Sequence, residues 1–167
     1  SSRDELQAAA MQKLAEHIND PAMATTWQDA LRLFSSRSWD LFSRYPEAPT
    51  VIMTKPEAII GVLPGFRRLI DRLVRLNIPG GFPSASFAVD FIGDITITTF
   101  IQMRSFTTTD DAGETPLDRY TTSADDNDDV FGMKDMPGTG FLDSKVEFII
   151  AGIEHGIGPG NSEPEAS

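Results

Sequence analysis

Apolar positions along the chain fall into blocks with helical spacing, separated by short runs of proline, glycine and asparagine. Arg3 to Ile18 is rich in strong helix formers and repeats Leu6, Met11, Leu14 and Ile18 at helical intervals. Asn19-Asp20-Pro21 ends it. Thr25 with Gln28 three residues on reads as a capping box for a second helix, Thr26–Arg44. Trp27, Leu31, Phe34, Leu41 and Phe42 form its broad apolar stripe, with Trp39 at the margin. A short helix, Ala48–Met53, is fenced by Pro49 and Pro56. Thr54 and Glu57 suggest a further cap for Glu57–Leu76, whose core face is Ile59, Leu63, Phe66, Ile70, Leu73 and Val74. Pro64 and Gly65 fall inside that pattern and predict a kink or a split.

The stretch Ser84–Phe106 carries two signals. Asp94-Ile-Thr-Ile-Thr-Thr-Phe alternates and is β-branched, which reads locally as a strand. Phe87, Phe91, Ile95 and Met103 keep helical spacing, as do Ala88, Ile92, Thr99 and Gln102. A lone strand would have no partner among helices, so a helix is expected, tertiary context overriding propensity. Thr107 to Thr139 lacks periodicity and holds nine acids against two bases, −7 of the chain's −11; a disordered loop is expected there. A last helix, Phe141–Ile157, has Val146, Ile149, Ile150 and Ile153 on its apolar face, and Gly158-Pro159-Gly160 stops it ahead of a tail at 158–167. The pattern predicts an all-α fold of about six helices in one domain over residues 1–157.

Composition narrows the function. At 167 residues and 18.3 kDa the chain suits one domain with a sizeable core. It has no cysteine, which excludes disulfides, thiolate zinc sites and a cysteine nucleophile, and leans toward the cytoplasm. No apolar run is expected to span a bilayer, and no membrane partner is expected. The net charge of −11 argues against a direct nucleic-acid surface. Arg67, Arg68, Arg72 and Arg75, with Asp71 among them, read as a solvated helix face.

Candidate chemistry is sparse. His17 and His155 lie near opposite ends, each late in its helix where a cation favours the dipole. An EF-hand register from Asn127 places Gly132 at position six but Gly138 where the bidentate glutamate belongs. No phosphate-cradle or nucleophile-elbow motif occurs, and neither a metal nor a cofactor is expected. Asp90 and Asp94, at i and i+4, would form a polar strip on an apolar helix, either at a solvent rim or orienting a ligand together with Gln102. Trp27, Phe34, Trp39, Met53, Phe66, Phe87 and Met103 are candidate pocket walls, though for each one alone ordinary core packing is the preferred reading.

Three stretches carry a resemblance. They are Ser2-Arg3-Asp4-Glu5-Leu6, Leu73-Val-Arg-Leu-Asn-Ile-Pro-Gly-Gly-Phe-Pro, and Phe148-Ile-Ile-Ala-Gly-Ile-Glu. In order and spacing they resemble the opening of the linking helix, the join before the first dimerisation helix, and the end of the last core helix in TetR-type transcriptional repressors. The resemblance spans Ser2 to Ile157 and concerns that family's C-terminal, effector-binding half. It implies a homodimer built as an intermolecular four-helix bundle through Ala88, Ile92, Ile95 and Thr99 with Val146, Ile149, Ile150 and Ile153. It also implies a pocket for a small, largely apolar effector, with Leu31, Ile70, Phe91 and Gln102 joining the walls named above. DNA would be bound only by a helix-turn-helix domain expected immediately before Ser1. Pro64-Gly65 and the β-branched residues of Ser84–Phe106 depart from the family pattern. Alternatives are a helical homodimeric scaffold, or a small helical enzyme using Asp90, Asp94 or a histidine; the resemblance favours a non-enzymatic regulator.

Overall fold

The computed structural model describes residues 24–123 and 139–161, and these form six helices with no strand among the described residues. They are α1 (Trp27–Arg44), α2 (Ala48–Thr54), α3 (Pro56–Arg75), α4 (Gly81–Thr107), α5 (Pro116–Ser123) and α6 (Gly140–Glu154). The all-α expectation holds. The helix expected over Arg3–Ile18 lies outside the described residues.

Helix ends differ in detail from the sequence reading. The N-cap of α1 is Thr26 rather than Thr25; its side chain accepts from the Asp29 amide at 3.1 Å. Gln28, expected in a capping box, instead bonds Glu154 at 2.9 Å, tying α1 to α6. At α3 the cap residue is Lys55, without a side-chain bond, and Pro56 opens the helix. Thr54 turns back to the Thr50 carbonyl at 2.7 Å. Helix α3 then runs unbroken through Pro64. Proline removes the bond to the carbonyl of Ile60, but Ile60 is exposed, so water can satisfy that oxygen.

Both α3 and α6 end in Schellman turns. Asn77 takes a left-handed φ of 58°, and the amides of Asn77 and Ile78 reach the Val74 and Leu73 carbonyls. Gly156, at φ 74°, does the same after α6, with Ile157 bonded to Gly152. This stops the last helix three residues before the expected Ile157.

The strand-like residues of α4 are accommodated because their hydroxyls close onto the helix itself. Thr96 donates to the Ile92 carbonyl at 2.6 Å and Thr98 to that of Asp94 at 2.8 Å. Helix α4 is the central element, packing against each of the other five. Ala85 and Ala88, fully buried, let neighbours approach its backbone closely. The main core joins Trp27, Leu31 and Phe34 of α1, Leu69, Ile70 and Leu73 of α3, Val89 and Ile92 of α4, and Leu142, Val146, Ile150 and Ile153 of α6. Each such aliphatic or aromatic side chain contributes roughly 1.5–3 kcal/mol by leaving water. A second cluster, Leu41, Phe42, Ala48 and Phe100, stacks Trp39 edge-on against Phe100 at 5.1 Å.

Two expectations are corrected here. Part of the span 107–139 is helical: α5 sits within it. Thr115 and Asp118 cap it reciprocally, each side chain accepting from the other's amide at 3.0 Å, and Pro116 opens the helix. That box was present as Thr-Pro-Leu-Asp and was hidden by the acidic composition around it. The aspartates Asp125, Asp126, Asp128, Asp129 and Asp135 lie outside the described residues. Secondly, α4 is by length and composition able to cross a membrane, contrary to the sequence reading. Close to half of its most apolar window is buried against neighbouring helices, and a central core helix acquires the same composition for that reason.

Candidate functional site

Three surface regions carry chemistry. The first is a cleft of about 500 Å³ between α3 and α4. Helix α3 supplies Ile60, Leu63, Pro64, Phe66, Arg67 and Ile70; α4 supplies Phe82, Ser86, Val89 and Asp90. The volume suits a small molecule, and most of the lining is apolar. Two opposite charges stand on it. Arg67 lies over the Phe82 ring at 5.4 Å and reaches Asp71 at 3.4 Å, while Asp90 belongs to the α4 wall. Such a cleft can hold an apolar body and orient a polar end at either charge.

The second region is a hollow of about 370 Å³ between α1 and α6, centred on Arg32. Its guanidinium is already engaged: Nε donates to Glu147 Oε1 at 2.6 Å, Nη2 to Oε2 at 2.9 Å, and Nη1 to Asp29 at 3.1 Å. The Arg32 bond holds the Glu147 carboxyl below the usual range. With its charge satisfied twice over, Arg32 is a clasp between helices rather than an anion site.

The third region is the outward face of α4 and α6. Phe87 and Phe91 stack there, 5.5 Å apart and half exposed, and Phe148 of α6 is 82% exposed. Asp94 shares this face, and burial with repulsion from Asp90 raises its carboxyl pKa. Lys145 lies in the seam between the two helices. Its amine donates to the fully buried Thr99 hydroxyl at 2.9 Å and sits 4.3 Å from the Phe141 ring centre. Partial desolvation lowers its pKa.

Most residues expected at an effector pocket or a dimer contact lie elsewhere in the single chain. Of the expected dimer contacts, Ala88, Ile92, Thr99, Val146, Ile149, Ile150 and Ile153 are buried inside the single chain, and Ile95 packs at the core margin. They are the stripe on which α4 and α6 pack against each other and α1. Of the expected effector contacts, only Phe66 and Ile70 line the α3–α4 cleft. Trp27, Leu31, Phe34 and Met103 are buried core residues, and Trp39 packs on Phe100. Met53 and Gln102 are exposed away from the cleft lining, and Phe87 and Phe91 belong to the outer face. Periodicity finds apolar stripes but does not say which of them faces inward, and α4 has two.

Missed residues include Ile60, Phe82 and Ser86 in the cleft and Phe148 on the outer face. The signal for Phe148 was available, since it lies off the Val146–Ile150–Ile153 stripe while being one of the two aromatic side chains of its helix. No group of three potential metal ligands occurs among the described residues. His155 Nδ1 lies 2.8 Å from the Ala151 carbonyl at the end of α6, in keeping with the dipole reading; His17 lies outside the described residues. No family model, curated protein or solved structure matches this chain.

Proposed function

We propose that the chain is the effector-binding and dimerisation domain of a TetR-like transcriptional repressor. A small, largely apolar effector occupies the α3–α4 cleft, and a second copy of the chain covers the outer face of α4 and α6. The observation that carries this reading is that one helix serves both surfaces. Ser86, Val89 and Asp90 of α4 line the cleft, while Phe87 and Phe91 of the same turns lie on the outer face. A ligand that shifts α4 therefore shifts the interface between subunits, and with it the spacing of DNA-binding domains attached to each copy. The coupling works as a population shift: the effector needs unequal affinity for the two spacings, and its occupancy changes operator binding by that ratio.

The exposed aromatics support the homodimer. Phe87, Phe91 and Phe148 together offer about 340 Å² of ring surface, taking ~200 Å² per phenylalanine. Large apolar side chains left this exposed favour cover by a partner, and a second copy of the chain is the occupant proposed. DNA contact belongs to a preceding helix-turn-helix, consistent with the acidic balance of this portion.

The test uses Leu63, half exposed on the cleft wall. Leu63→Glu places a charge where the apolar body would lie. Binding of a fluorescent apolar probe such as anilinonaphthalene sulfonate should fall at least tenfold with Tm unchanged. Equal probe binding by both proteins would remove the cleft from the reading. If the full-length protein has no helix-turn-helix ahead of Ser1, or binds no DNA, the repressor assignment fails.

A further inference from the structure

Of the two charges on the α3–α4 cleft, only one is open to a ligand. Arg67 is engaged on two sides. Its guanidinium lies 5.4 Å from the centre of the Phe82 ring, and its Nε is 3.4 Å from an oxygen of Asp71, one turn further along α3. An anionic ligand would have to compete with a carboxylate that the helix already supplies. Asp90 stands on the opposite wall and is exposed. It has no hydrogen-bond or ion-pair partner among the described residues.

Placement along α4 sharpens the contrast. Phe82, Ser86 and Asp90 recur at every fourth residue, so they stand one above another on the α4 wall. From Phe82 to Asp90 the helix rises about 12 Å, at roughly 1.5 Å per residue. The Arg67–Phe82 contact therefore marks one end of the cleft and Asp90 the other. Ser86, one turn before Asp90, adds a hydroxyl to the same wall. Asp94 follows one turn after Asp90, near enough for the two carboxylates to repel each other. A cation at Asp90 relieves that repulsion, and an anion would add to it.

We infer that the cleft takes an apolar amine in its protonated form, with the ammonium at Asp90 and Ser86 and the body against Leu63, Phe66 and Ile70. A primary or secondary ammonium fits better than a quaternary one, because its N–H groups can donate both to the Asp90 carboxylate and to the Ser86 hydroxyl oxygen. The inference rests on the cleft being the effector site and names the chemical class of the effector. Asp90 is exposed, so the ammonium keeps part of its water, and the charge raises affinity by about tenfold rather than by the larger factor of a buried pair.

Isothermal titration calorimetry with three probes that share one ring system separates the head from the body. The probes are naphthylmethylamine, protonated at neutral pH, the neutral naphthalenemethanol, and the anionic naphthoate. The amine should bind about tenfold tighter than the alcohol, with naphthoate the weakest of the three. Asp90→Asn should bring the amine down to the affinity of the alcohol and leave the alcohol unchanged. Added salt should narrow the gap between amine and alcohol in the wild-type chain, because the pair is exposed. Equal binding of amine and alcohol, or an amine preference that survives Asp90→Asn, overturns the inference; the cleft reading still stands if Leu63→Glu weakens the alcohol. A preference for naphthoate that is lost in Arg67→Gln overturns it in the same way and assigns the other charge. An alcohol that fails to bind, or binds the wild-type chain and Leu63→Glu equally, overturns the cleft reading itself.

Discussion

Replacing Phe148 by aspartate separates folding from association. The ring is 82% exposed in the single chain, so the fold buries only about a fifth of it. At roughly 200 Å² per phenylalanine and ~25 cal/mol per Å², truncation costs the monomer about 1 kcal/mol or less. The interface loses far more. Each copy would bury about 160 Å² of Phe148 against its partner, the weight of a central anchor residue, and two copies do so per dimer. At ~2 kcal/mol per anchor, the dimer dissociation constant rises by about 10³, before the penalty of burying the new carboxylate. Ile150→Asp is the internal contrast, because Ile150 is 2% exposed in the main core. An unpaired charge there removes about 4 kcal/mol or more and unfolds the chain. Sedimentation velocity with thermal melting reads both effects. Phe148→Asp should be a folded monomer and Ile150→Asp an unfolded one. A Phe148→Asp protein that dimerises with wild-type affinity would refute the assignment of this face.

Two further perturbations probe other parts of the structure. Gly160→Ala should lower stability by about 2–3 kcal/mol in denaturant unfolding, because its Cβ would clash with the Gly80 carbonyl oxygen at a φ near 88°; Gly113→Ala, which has a positive φ but open space, should cost about 1 kcal/mol, and equal losses would exclude the close approach of the tail to the start of α4. Glu147→Gln should cost at most about 1 kcal/mol at neutral pH, since both members of the Arg32 pair are about half exposed. The pH dependence has a definite sign: the Glu147 pKa is lowered in the folded state, so its contribution is present above the ordinary glutamate value and is lost as pH falls through the lowered one. The Tm gap between wild type and variant should therefore close in acid, and a gap that persists at pH 2 would rule out the ion pair as its origin.

Helix identity was legible in the sequence to within a few residues. Spacing of Trp27, Leu31 and Phe34, or of Leu69, Ile70 and Leu73, specifies a period that only one kind of element satisfies. Proline and glycine marked most boundaries for local reasons, as at Pro56 and Gly156. Even the ambiguous α4 resolved as a helix, because its threonine hydroxyls find acceptors one turn back. The short α5 escaped for a different reason, since its Thr115–Asp118 box is a local signal set in a stretch whose charge argued for no structure.

The site was far less legible. Expected effector walls became core, and expected dimer contacts became the seam between α4 and α6 of one chain. A helix with one apolar stripe declares its buried face, but α4 carries apolar residues nearly all round. Which stripe turns inward depends on which neighbours present complementary shape, and Ala85 and Ala88 win that contest by letting adjacent helices come close while the bulkier Phe87 and Phe91 are left outside. Local sequence thus determined that the chain is a set of helices with particular ends. Packing between residues distant in sequence decided which apolar face closes the core and which is left exposed, because burial is a property of the assembled surface and not of any one helix.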